Sequence, residues 1–465
     1  MSLDELKFLS DMRMIEGLQA EELRRKMDSL RSTSIGRKLK LGGKTQIADI
    51  KPTSYDFYAE FFHNKISDAL MFPLDQYEEC MTTGTLGIPK RFLMSKAFIM
   101  DAMRTFRAIL MAASLKEGKT TFQRGDTFYL NAAPKPFVTG VLADYVARET
   151  ASFVKVVPPD QSRPFHEKVQ YFIDHHKEIY YALMPLVMLF HQVYPKIKQT
   201  LDLKGFFPFD TAAEAHMKRI REIVNCRVSG VYASTETCLS TIPSAEHELG
   251  FVFDPRSMYC EFLPMNQTKP DTSSITENIE PKDLVSMSGV KKGVRYLLFI
   301  TPFKSELMRY NTGDILEVVD HGDSFIGTEL PVFKFFSRAA KVISLVNFTT
   351  INESELLLAL TRSQIPYVDF TARLEIEDSK HYLALYLEPA NEVVDKNELE
   401  QNIHQSLGAL DPDYANVNKF YQYSPLKLTI IPKGSFSRLL ATKQGFPKVD
   451  RINMAEKDLS ILLSS

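Results

Sequence analysis

The chain has 465 residues and a mass of 53.1 kDa, a length that favours two or three domains, or one large domain with a smaller attachment. Apolar residues make up 44% of it and charged residues 25%, a globular composition that excludes a disordered or fibrous chain. Lys and Arg (56) nearly balance Asp and Glu (58), so the net charge of -2 provides no overall basic field. We therefore expect neither a nucleic acid nor a membrane as a partner.

The cysteines and the apolar segments indicate the cellular compartment. The four cysteines lie far apart and lack the spacing of zinc ligands, so we interpret them as reduced thiols in a cytoplasmic protein. The N-terminal residues mix acids and bases and lack the apolar stretch of a secretory signal. The longest apolar run, residues 179–190, contains Pro185 and is shorter than the roughly 18 to 20 residues that cross a bilayer. We interpret this run as core, with a pocket wall as the alternative.

The predicted elements alternate between helices and short strands. Apolar spacing predicts helices over residues 3–30 and, more strongly, over 95–117. Short strands are predicted at residues 127–131, 227–232, 258–263 and 294–301. This alternation favours an α/β fold with at least partly parallel sheets.

A second domain is predicted after a boundary near residues 338–352. Asn352 and Glu355 there have the spacing of a capping box for a following helix. The pattern then predicts strands, helices and a final helix from Ser435, in the order α-β-β-α-β-α. The first two strands are predicted at 367–376 and 382–387, the following helix at 397–407 and the third strand at 426–431. We therefore expect a large domain, residues 1–340, and a small α+β domain, residues 341–465.

The first segment with chemical potential is a loop rich in Thr and Gly. Its glycines allow backbone N–H groups to turn toward an anion, its hydroxyls add donors and its lysine adds a positive charge, a combination suited to polyphosphate. It lacks the spacing of a Walker A loop, and an ordinary turn is the more frequent role of such a sequence. The loop reads Thr82-Thr83-Gly84-Thr85-Leu86-Gly87-Ile88-Pro89-Lys90.

Two further segments carry carboxylates next to turns. Glu236 follows Tyr232-Ala233-Ser234-Thr235 at a predicted strand end, where it suits a hard cation such as Mg²⁺ or, alternatively, begins a helix. Asp314 follows a Gly-containing turn and suits vicinal ribose hydroxyls, and Arg338 lies further along the chain. Taken individually, Asp314 and Arg338 are as typical of a turn residue or a surface charge as of a nucleotide-binding residue.

The order and spacing of these segments resemble the motif series of adenylate-forming enzymes, the superfamily of acyl-CoA synthetases and luciferases. Within it, the chain is most similar to the plant acyl-acid amido synthetases that conjugate auxin and jasmonate to amino acids, the Gretchen Hagen family, and to their bacterial relatives. The resemblance spans nearly the whole chain. Its more specific segments are Tyr232-Ala233-Ser234-Thr235-Glu236, Tyr259-Cys260-Glu261-Phe262-Leu263-Pro264, Pro331-Val332-Phe333-Lys334-Phe335-Phe336-Ser337-Arg338 and Lys433-Gly434-Ser435-Phe436.

This resemblance implies an enzyme that uses ATP and Mg²⁺ to convert a carboxylic acid to an acyl-adenylate and then passes the acyl group to an amine, usually an amino acid. It implies a small domain that moves. It further implies that Glu236 binds Mg²⁺ and that Asp314, with Arg338, holds the ribose. Phosphate contacts would come from Thr82, Thr83, Gly84, Thr85 and Lys90, and nucleotide contacts from Tyr232, Ala233, Ser234 and Thr235.

Lys448 is the candidate for the catalytic lysine of the small domain, with a solvated terminal lysine as the alternative. The chain departs from the family pattern at residues 346–350, where relatives carry an acidic residue and a lysine. It departs again at Asp450, where relatives carry a proline. An acyl-CoA or acyl-carrier ligase and a noncatalytic homologue remain alternative functions. Candidate walls for the acyl substrate, each equally interpretable as core, are Arg104, Arg107, Phe137, Val138 and Val141.

Overall fold

The computed structural model describes residues 6, 10–82, 90–208, 213–214, 216–265, 279–338, 342–345, 349–377, 380–391, 395–421, 423–443 and 448–464. Within these ranges the chain mixes helices with both parallel and antiparallel sheets. The expected α/β fold is confirmed.

The α-helices of the described residues, in chain order, are α1 (Met12–Arg31), α2 (Ser34–Lys38), α3 (Tyr55–His63), α4 (Lys96–Ala113), α5 (Val138–Glu149), α6 (Phe165–His175), α7 (Leu186–Met188), α8 (Tyr194–Ile197), α9 (Met217–Ile223), α10 (Glu353–Arg362), α11 (Lys396–Leu410), α12 (Pro412–Tyr421), α13 (Ser435–Thr442) and α14 (Glu456–Leu463). A π-helical turn, Leu189–Val193, joins α7 to α8.

The strands of the first two thirds are β1 (Tyr77–Met81), β2 (Arg91–Ser95), β3 (Leu115–Lys116), β4 (Lys119–Thr120), β5 (Thr127–Leu130), β6 (Lys155–Val157), β7 (Tyr181–Met184), β8 (Gly205–Pro208), β9 (Ala233–Ser234), β10 (Cys238–Leu239), β11 (Thr241–Pro243), β12 (Phe251–Phe253), β13 (Met258–Pro264), β14 (Val285–Ser286) and β15 (Arg295–Pro302). Those that follow are β16 (Tyr310–Asp323), β17 (Thr328–Arg338), β18 (Val342–Leu345), β19 (Thr349–Asn352), β20 (Tyr367–Glu377), β21 (Lys380–Pro389) and β22 (Leu426–Ile430).

A parallel sheet forms from short apolar strands linked by helices. Among the described residues its order is β6-β5-β7-β8, and every neighbouring pair is parallel. Helix α5 connects β5 to β6, because parallel neighbours need a crossover connection. The run 179–190 contributes β7 and the helix that follows it, and its described side chains are largely buried, in agreement with its interpretation as core.

An antiparallel sheet carries most of the candidate site. Its order among the described residues is β11-β12-β17-β16-β15-β13-β14, and the interior strand β15 is almost wholly buried. The pairing of β15 with β16 shifts between Leu297 and Phe299, so that residues 312–314 of β16 leave the regular register. Gly313 has φ +74°, a conformation that glycine adopts without strain. This bulge places Asp314 where a regular strand would not.

The C-terminal third has its own small sheet, β20-β21-β22, covered by α10 and α11. Its apolar residues form a cluster within residues 343–452, separate from the cluster that spans residues 6–333. The predicted capping box is present, because the Asn352 side chain accepts from the Glu355 backbone at 3.0 Å and the Glu355 carboxylate accepts from the Asn352 N–H at 2.9 Å.

Several element predictions are confirmed and others are wrong. The helix predicted over 95–117 is α4, and the predicted order α-β-β-α-β-α appears with two additions, α12 and α14. The predicted strand at 227–232 is wrong: only Val228 forms a bridge, to Phe206, because at Gly230 the backbone comes so close to Leu249 that a Cβ would lie 2.1 Å from its carbonyl oxygen. All four cysteines are free thiols, as expected.

A buried ion pair anchors the start of β16. Arg309 donates from Nε and Nη2 to the two carboxylate oxygens of Glu261, at 2.8 and 2.9 Å, and from Nη1 to the Ile50 carbonyl at 2.6 Å. Both charged side chains are almost fully buried. The pair therefore joins β13 to the residue that precedes β16, which carries Tyr310 and Asp314.

Replacing Arg309 with Met is expected to lower the free energy of unfolding by about 3 to 5 kcal/mol, because the Glu261 carboxylate stays buried without its partner. Burial already raises the pKa of Glu261 above its usual value. A carboxyl group with a raised folded pKa costs stability as pH rises. The loss of unfolding free energy relative to wild type should therefore shrink as pH falls through the raised pKa of Glu261, because the carboxyl group then takes up a proton. Urea unfolding across pH measures both effects.

Arg221 provides the matched control, because it forms an exposed ion pair with Glu248. Arg221→Met should change the free energy of unfolding by no more than about 1 kcal/mol. Equal losses for Arg221→Met and Arg309→Met would contradict the anchoring role of the buried pair.

Candidate functional site

The predicted phosphate loop closes a hairpin. Thr83, Gly84 and Thr85 belong to residues 83–89, which lie outside the described part of the chain. Its ends meet between β1 and β2, where the Thr82 N–H donates to the Lys90 carbonyl and the Lys90 N–H donates to Thr82 Oγ1, both at 3.0 Å. The Lys90 side chain is exposed, and its Nζ lies 5.1 Å from the Tyr55 ring centroid. The loop thus starts and ends at one defined neck.

The second motif forms a β-hairpin rather than a helix start. Strands β9 and β10 pair, and Glu236 lies in the turn between them, half-buried beside the buried Thr235. The Ser234 N–H donates to Thr237 Oγ1 at 2.9 Å, and the Thr237 N–H donates to Ser234 Oγ at 3.1 Å. These reciprocal bonds hold the turn that presents Glu236.

Tyr232 and Asp314 contact each other although they lie 82 residues apart. The Tyr232 hydroxyl donates to Asp314 Oδ2 at 2.6 Å, and its ring stacks on Phe251 with centroids 5.6 Å apart. The Tyr232 N–H donates to Thr241 Oγ1 at 2.9 Å. Asp314 is buried in the bulge of β16. The motif residues of the hairpin and of β16 therefore meet through a charge-assisted hydrogen bond.

Tyr310 makes the converse contact. Its hydroxyl donates to Glu236 Oε1 at 3.1 Å. Burial, together with the Glu236 carboxylate, raises the pKa of Tyr310 well above its usual value, so the phenol keeps its proton and remains a donor. Among the described residues, Glu236 Oε2 has no hydrogen-bond partner.

These two contacts form a reciprocal arrangement. In each segment a tyrosine precedes a carboxylate by four residues, Tyr232 and Glu236 in the hairpin and Tyr310 and Asp314 in β16. Each tyrosine donates to the carboxylate of the other segment. Two acidic groups are thereby held at the junction of the hairpin and β16, each oriented by a tyrosine hydroxyl. We refer to these four residues as the carboxylate quartet.

Arg338 is the backbone partner of Asp314 across β16 and β17. It is the last residue of β17, directly before the predicted domain boundary. The structure thus brings the third motif and Arg338 together in the sheet, although they lie two dozen residues apart in sequence.

The candidate acyl-wall residues occupy different surroundings. Arg104 and Arg107 are exposed on α4, where Arg104 pairs with Asp101, and Val141 is buried in the apolar core. Phe137 and Val138 are half-buried at the start of α5, and Phe137 forms a backbone bridge to Met81 at the neck of the predicted phosphate loop. Of the five, these two lie beside that neck.

The C-terminal lysines differ in their surroundings. Lys448 and Lys433 are exposed. Lys443 pairs with Asp458, and its Nζ lies 4.0 Å from Asp450 Oδ2. Asp450, which departs from the family pattern, therefore has Lys443 as a local ionic partner.

The contact between Tyr310 and Glu236 is a feature of the site that sequence reasoning missed. Tyr310 belongs to the same segment as Asp314, but its partner Glu236 is 74 residues away, so the sequence did not show this contact. The tyrosine-to-carboxylate spacing common to both motifs is the signal that could have suggested the quartet. Across the described residues, no group of three or more His, Cys, Asp or Glu side chains is arranged to hold a metal ion.

Comparison with known proteins finds two family models that match parts of the chain. The GH3 family central domain matches residues 251–338, and the GH3 family C-terminal domain matches residues 349–448. Two segments of the chain thus match GH3 domain models, while Tyr232 and Glu236 lie outside both segments. The resemblance to the Gretchen Hagen amido synthetases is confirmed. The GH3 central domain includes Asp314 and Arg338, and the GH3 C-terminal domain ends at Lys448.

The chain is also similar to curated GH3 enzymes over part of its length. It is 24% identical over 244 residues to a jasmonoyl–L-amino acid synthetase, GH3.5, of Oryza sativa subsp. japonica, across 49% of this chain and 40% of that enzyme. It is 33% identical over 133 residues to indole-3-acetic acid-amido synthetase GH3.6 of Arabidopsis thaliana, across 27% of this chain and 20% of that enzyme. The matched part thus spans less than half the length of these relatives.

A solved structure extends the likeness to the whole fold. The acyl acid amido synthetase AtGH3.15, in complex with 2,4-DB, superposes with a TM-score of 0.70 over 99% of this chain and 95% of that chain, at 15% identity. At this identity the match shows a shared fold. Of the helices that the structure describes, none has the length and apolar character needed to cross a membrane.

Proposed function

We propose that this protein is an adenylate-forming ligase that activates a carboxylic acid with ATP and transfers the acyl group to the amine of an amino acid, in the cytoplasm. The carboxylate quartet carries this proposal. It joins the two motif carboxylates, Glu236 and Asp314, at one place in the fold, and Asp314 lies within the matched GH3 central domain. The GH3 enzymes above, which are amido synthetases by name, support the choice of an amine as acceptor.

The chemistry requires positioning more than a protein nucleophile. A carboxylate is a poor acyl donor because its leaving group would be an oxide, so its oxygen first attacks the α-phosphate of ATP and pyrophosphate leaves. The amine then attacks the acyl carbon and AMP leaves. Alignment of the reactants and neutralisation of the phosphate charge account for most of the catalysis of such a step.

In this proposal different segments bind different parts of the nucleotide. The loop from Thr82 to Lys90, including Thr83, Gly84 and Thr85, binds the phosphates. The buried Asp314 accepts from the ribose hydroxyls, with Arg338 beside it in the sheet. The hairpin residues Tyr232, Ala233, Ser234 and Thr235 line the nucleotide.

Glu236 fits the role of a magnesium ligand. Magnesium bound with a nucleotide uses one or two protein carboxylates together with phosphate oxygens and water, so a cluster of acidic ligands is not needed. Glu236 is half-buried, is oriented by Tyr310, and has one carboxylate oxygen without a hydrogen-bond partner in the described chain. When bound, the ion neutralises charge on the phosphates.

We also propose that the chain divides into domains at residues 1–340 and 341–465 and that the small domain moves during the reaction. The separate apolar clusters on either side of this boundary, and the gap between the two matched GH3 domains, support the division. Closure of the small domain would bring Lys448 to the α-phosphate and the carboxylate. Phe137 and Val138, beside the neck of the loop, are the candidate contacts of the acyl group that the geometry favours.

The proposal is tested by pyrophosphate release from ATP with a panel of carboxylic acids. We expect release that depends on both the acid and Mg²⁺. Amino acids and coenzyme A, supplied separately, then distinguish the acceptors: consumption of an amino acid that depends on the carboxylic acid supports amide synthesis, and thioester formation supports the ligase alternative. Nucleotide binding without release for any acid would instead indicate a noncatalytic homologue.

Replacing Tyr310 with Phe is expected to raise the Mg²⁺ concentration for half-maximal activity by about tenfold, because Glu236 loses a hydrogen bond from a neutral donor to a charged acceptor, worth roughly 1.5 to 3 kcal/mol. Titration of pyrophosphate release with Mg²⁺ measures this shift.

Tyr58 is the matched control for this substitution. Its ring lies 6.3 Å from that of Tyr310, but its hydroxyl bonds Thr53 Oγ1 and the Met308 backbone rather than a carboxylate. Tyr58→Phe should lower stability and leave the Mg²⁺ requirement unchanged. An unchanged Mg²⁺ requirement in Tyr310→Phe would contradict the role given to Glu236.

A further inference from the structure

The chain that follows Lys448 is fastened to the edge of the small sheet. The Ala372 N–H donates to the Arg451 carbonyl and the Asn453 N–H donates to the Ala372 carbonyl, both at 2.8 Å. Thr371 Oγ1 donates to the Asp450 carbonyl at 2.7 Å. The backbone from Asp450 to Asn453 therefore runs as an added edge beside β20, in parallel orientation.

The side chain of Arg451 crosses from this edge to two other elements. Its Nε and Nη2 donate to Asp369 Oδ1 and Oδ2, at 2.7 and 3.1 Å, and its Nη1 donates to Glu353 Oε1 at 3.1 Å. Asp369 belongs to β20, and Glu353 is the first residue of α10. Arg451 and Asp369 are almost fully buried. A bidentate pair of this kind fixes geometry in addition to charge.

A second ion pair holds the chain on the other side of residues 444–447. Lys443, at the end of α13, contacts both Asp458 and Asp450. The segment that carries Lys448 is therefore tied at Lys443 and again at Arg451. Buried ion pairs contribute little net stability compared with apolar packing, so their contribution here is better explained by specific geometry.

We propose that Arg451 is a positioning residue, which sets the place from which Lys448 reaches the reacting groups. This inference rests on the proposed function. Only two residues, Val449 and Asp450, separate Lys448 from Arg451, so their Cα atoms lie at most about 11 Å apart and a shift of the Arg451 anchor displaces the Lys448 backbone directly. Because Glu353 begins α10, the first helix after the predicted boundary, the same contact ties the Arg451 anchor to an element that follows this boundary closely.

The test is a double-mutant cycle on single-turnover pyrophosphate release, with Arg451→Met made in the wild-type chain and in Lys448→Ala. We expect Arg451→Met to lower the adenylation rate tenfold or more when Lys448 is present and less than twofold when it is absent, with ATP affinity unchanged in both. Asp369→Asn, which preserves side-chain volume, should give a smaller loss with the same dependence on Lys448, and it decides the question if Arg451→Met does not fold.

Arg373→Met is the matched control, because Arg373 lies on β20 and pairs with Glu456 at the surface. It should leave the rate unchanged. Equal losses from Arg451→Met with and without Lys448 would overturn the positioning role while leaving the proposed function intact. Full activity of Lys448→Ala would overturn it by removing the residue on which Arg451 acts. Absence of activity in the wild-type protein would reject the proposed function and this inference together.

Discussion

Replacing Asp314 or Glu236 with Ala is expected to abolish acyl-adenylate formation while the chain still folds. Both side chains are the acidic members of the carboxylate quartet. Neither belongs to the apolar clusters that stabilise the fold. Loss of a ribose or metal ligand should cost several kcal/mol at the transition state, and each 1.4 kcal/mol or so corresponds to about a tenfold loss of rate. Pyrophosphate release under saturating ATP and acid measures the loss.

Isosteric variants sharpen this experiment. Asp314→Asn retains an oxygen for the Tyr232 hydroxyl but replaces the other carboxylate oxygen with an amide NH₂ group, which cannot accept from a ribose hydroxyl. It should therefore lose activity nearly as severely as Asp314→Ala, with a smaller change in stability.

Asp323 is the matched control on the same strand. It is buried and accepts from Ser244 Oγ and the Ala245 N–H, both at 2.6 Å, so its contacts are structural. Asp323→Asn should lower the free energy of unfolding by about 1 to 3 kcal/mol and leave the rate of the folded protein near wild type. Near wild-type pyrophosphate release in Asp314→Asn or Glu236→Ala would show that the assignment of that residue is wrong.

Replacing Lys448 with Ala is expected to lower the adenylation rate by orders of magnitude with little change in ATP affinity. A lysine on a mobile domain meets the α-phosphate and the carboxylate only in the closed state, so its contribution is confined to the transition state. Single-turnover rates and equilibrium ATP binding, measured on the same variant, separate the two effects.

Lys433 provides the control for Lys448, because it is also exposed and lies in the same C-terminal region. Lys433→Ala should behave as wild type. Weakened ATP binding with an unchanged rate in Lys448→Ala would instead place this lysine in the ground-state nucleotide site, and the closure mechanism would be wrong.

The parts of the fold that could be predicted are those with a local signal. Helix α4 and the capping box of α10 follow from apolar spacing and from Asn352 and Glu355, all within a few residues of the element they define. The predicted strand at 227–232 failed because its apolar alternation was local, whereas the close approach of Leu249 at Gly230 depends on tertiary packing.

The same division applies to the site. Tyr232, Glu236 and Asp314 were identified because their motifs are contiguous, but their contacts depend on the pairing of segments more than 70 residues apart. The bulge that displaces Asp314 arises from the register of β15 against β16, and neither strand encodes that register alone. The anchors Arg309 and Arg451 were missed as anchors for the same reason, since an arginine gives no local sign of the buried carboxylate it will bind.

The central claim is that a carboxylate oxygen of the substrate becomes bonded to the α-phosphate of ATP. Reaction of an acid labelled with ¹⁸O in its carboxylate, followed by mass spectrometry of the released nucleotide, tests this directly. An acyl-adenylate route transfers one labelled oxygen to AMP when the amine displaces it. AMP without label, or label found in inorganic phosphate together with ADP, would contradict the account.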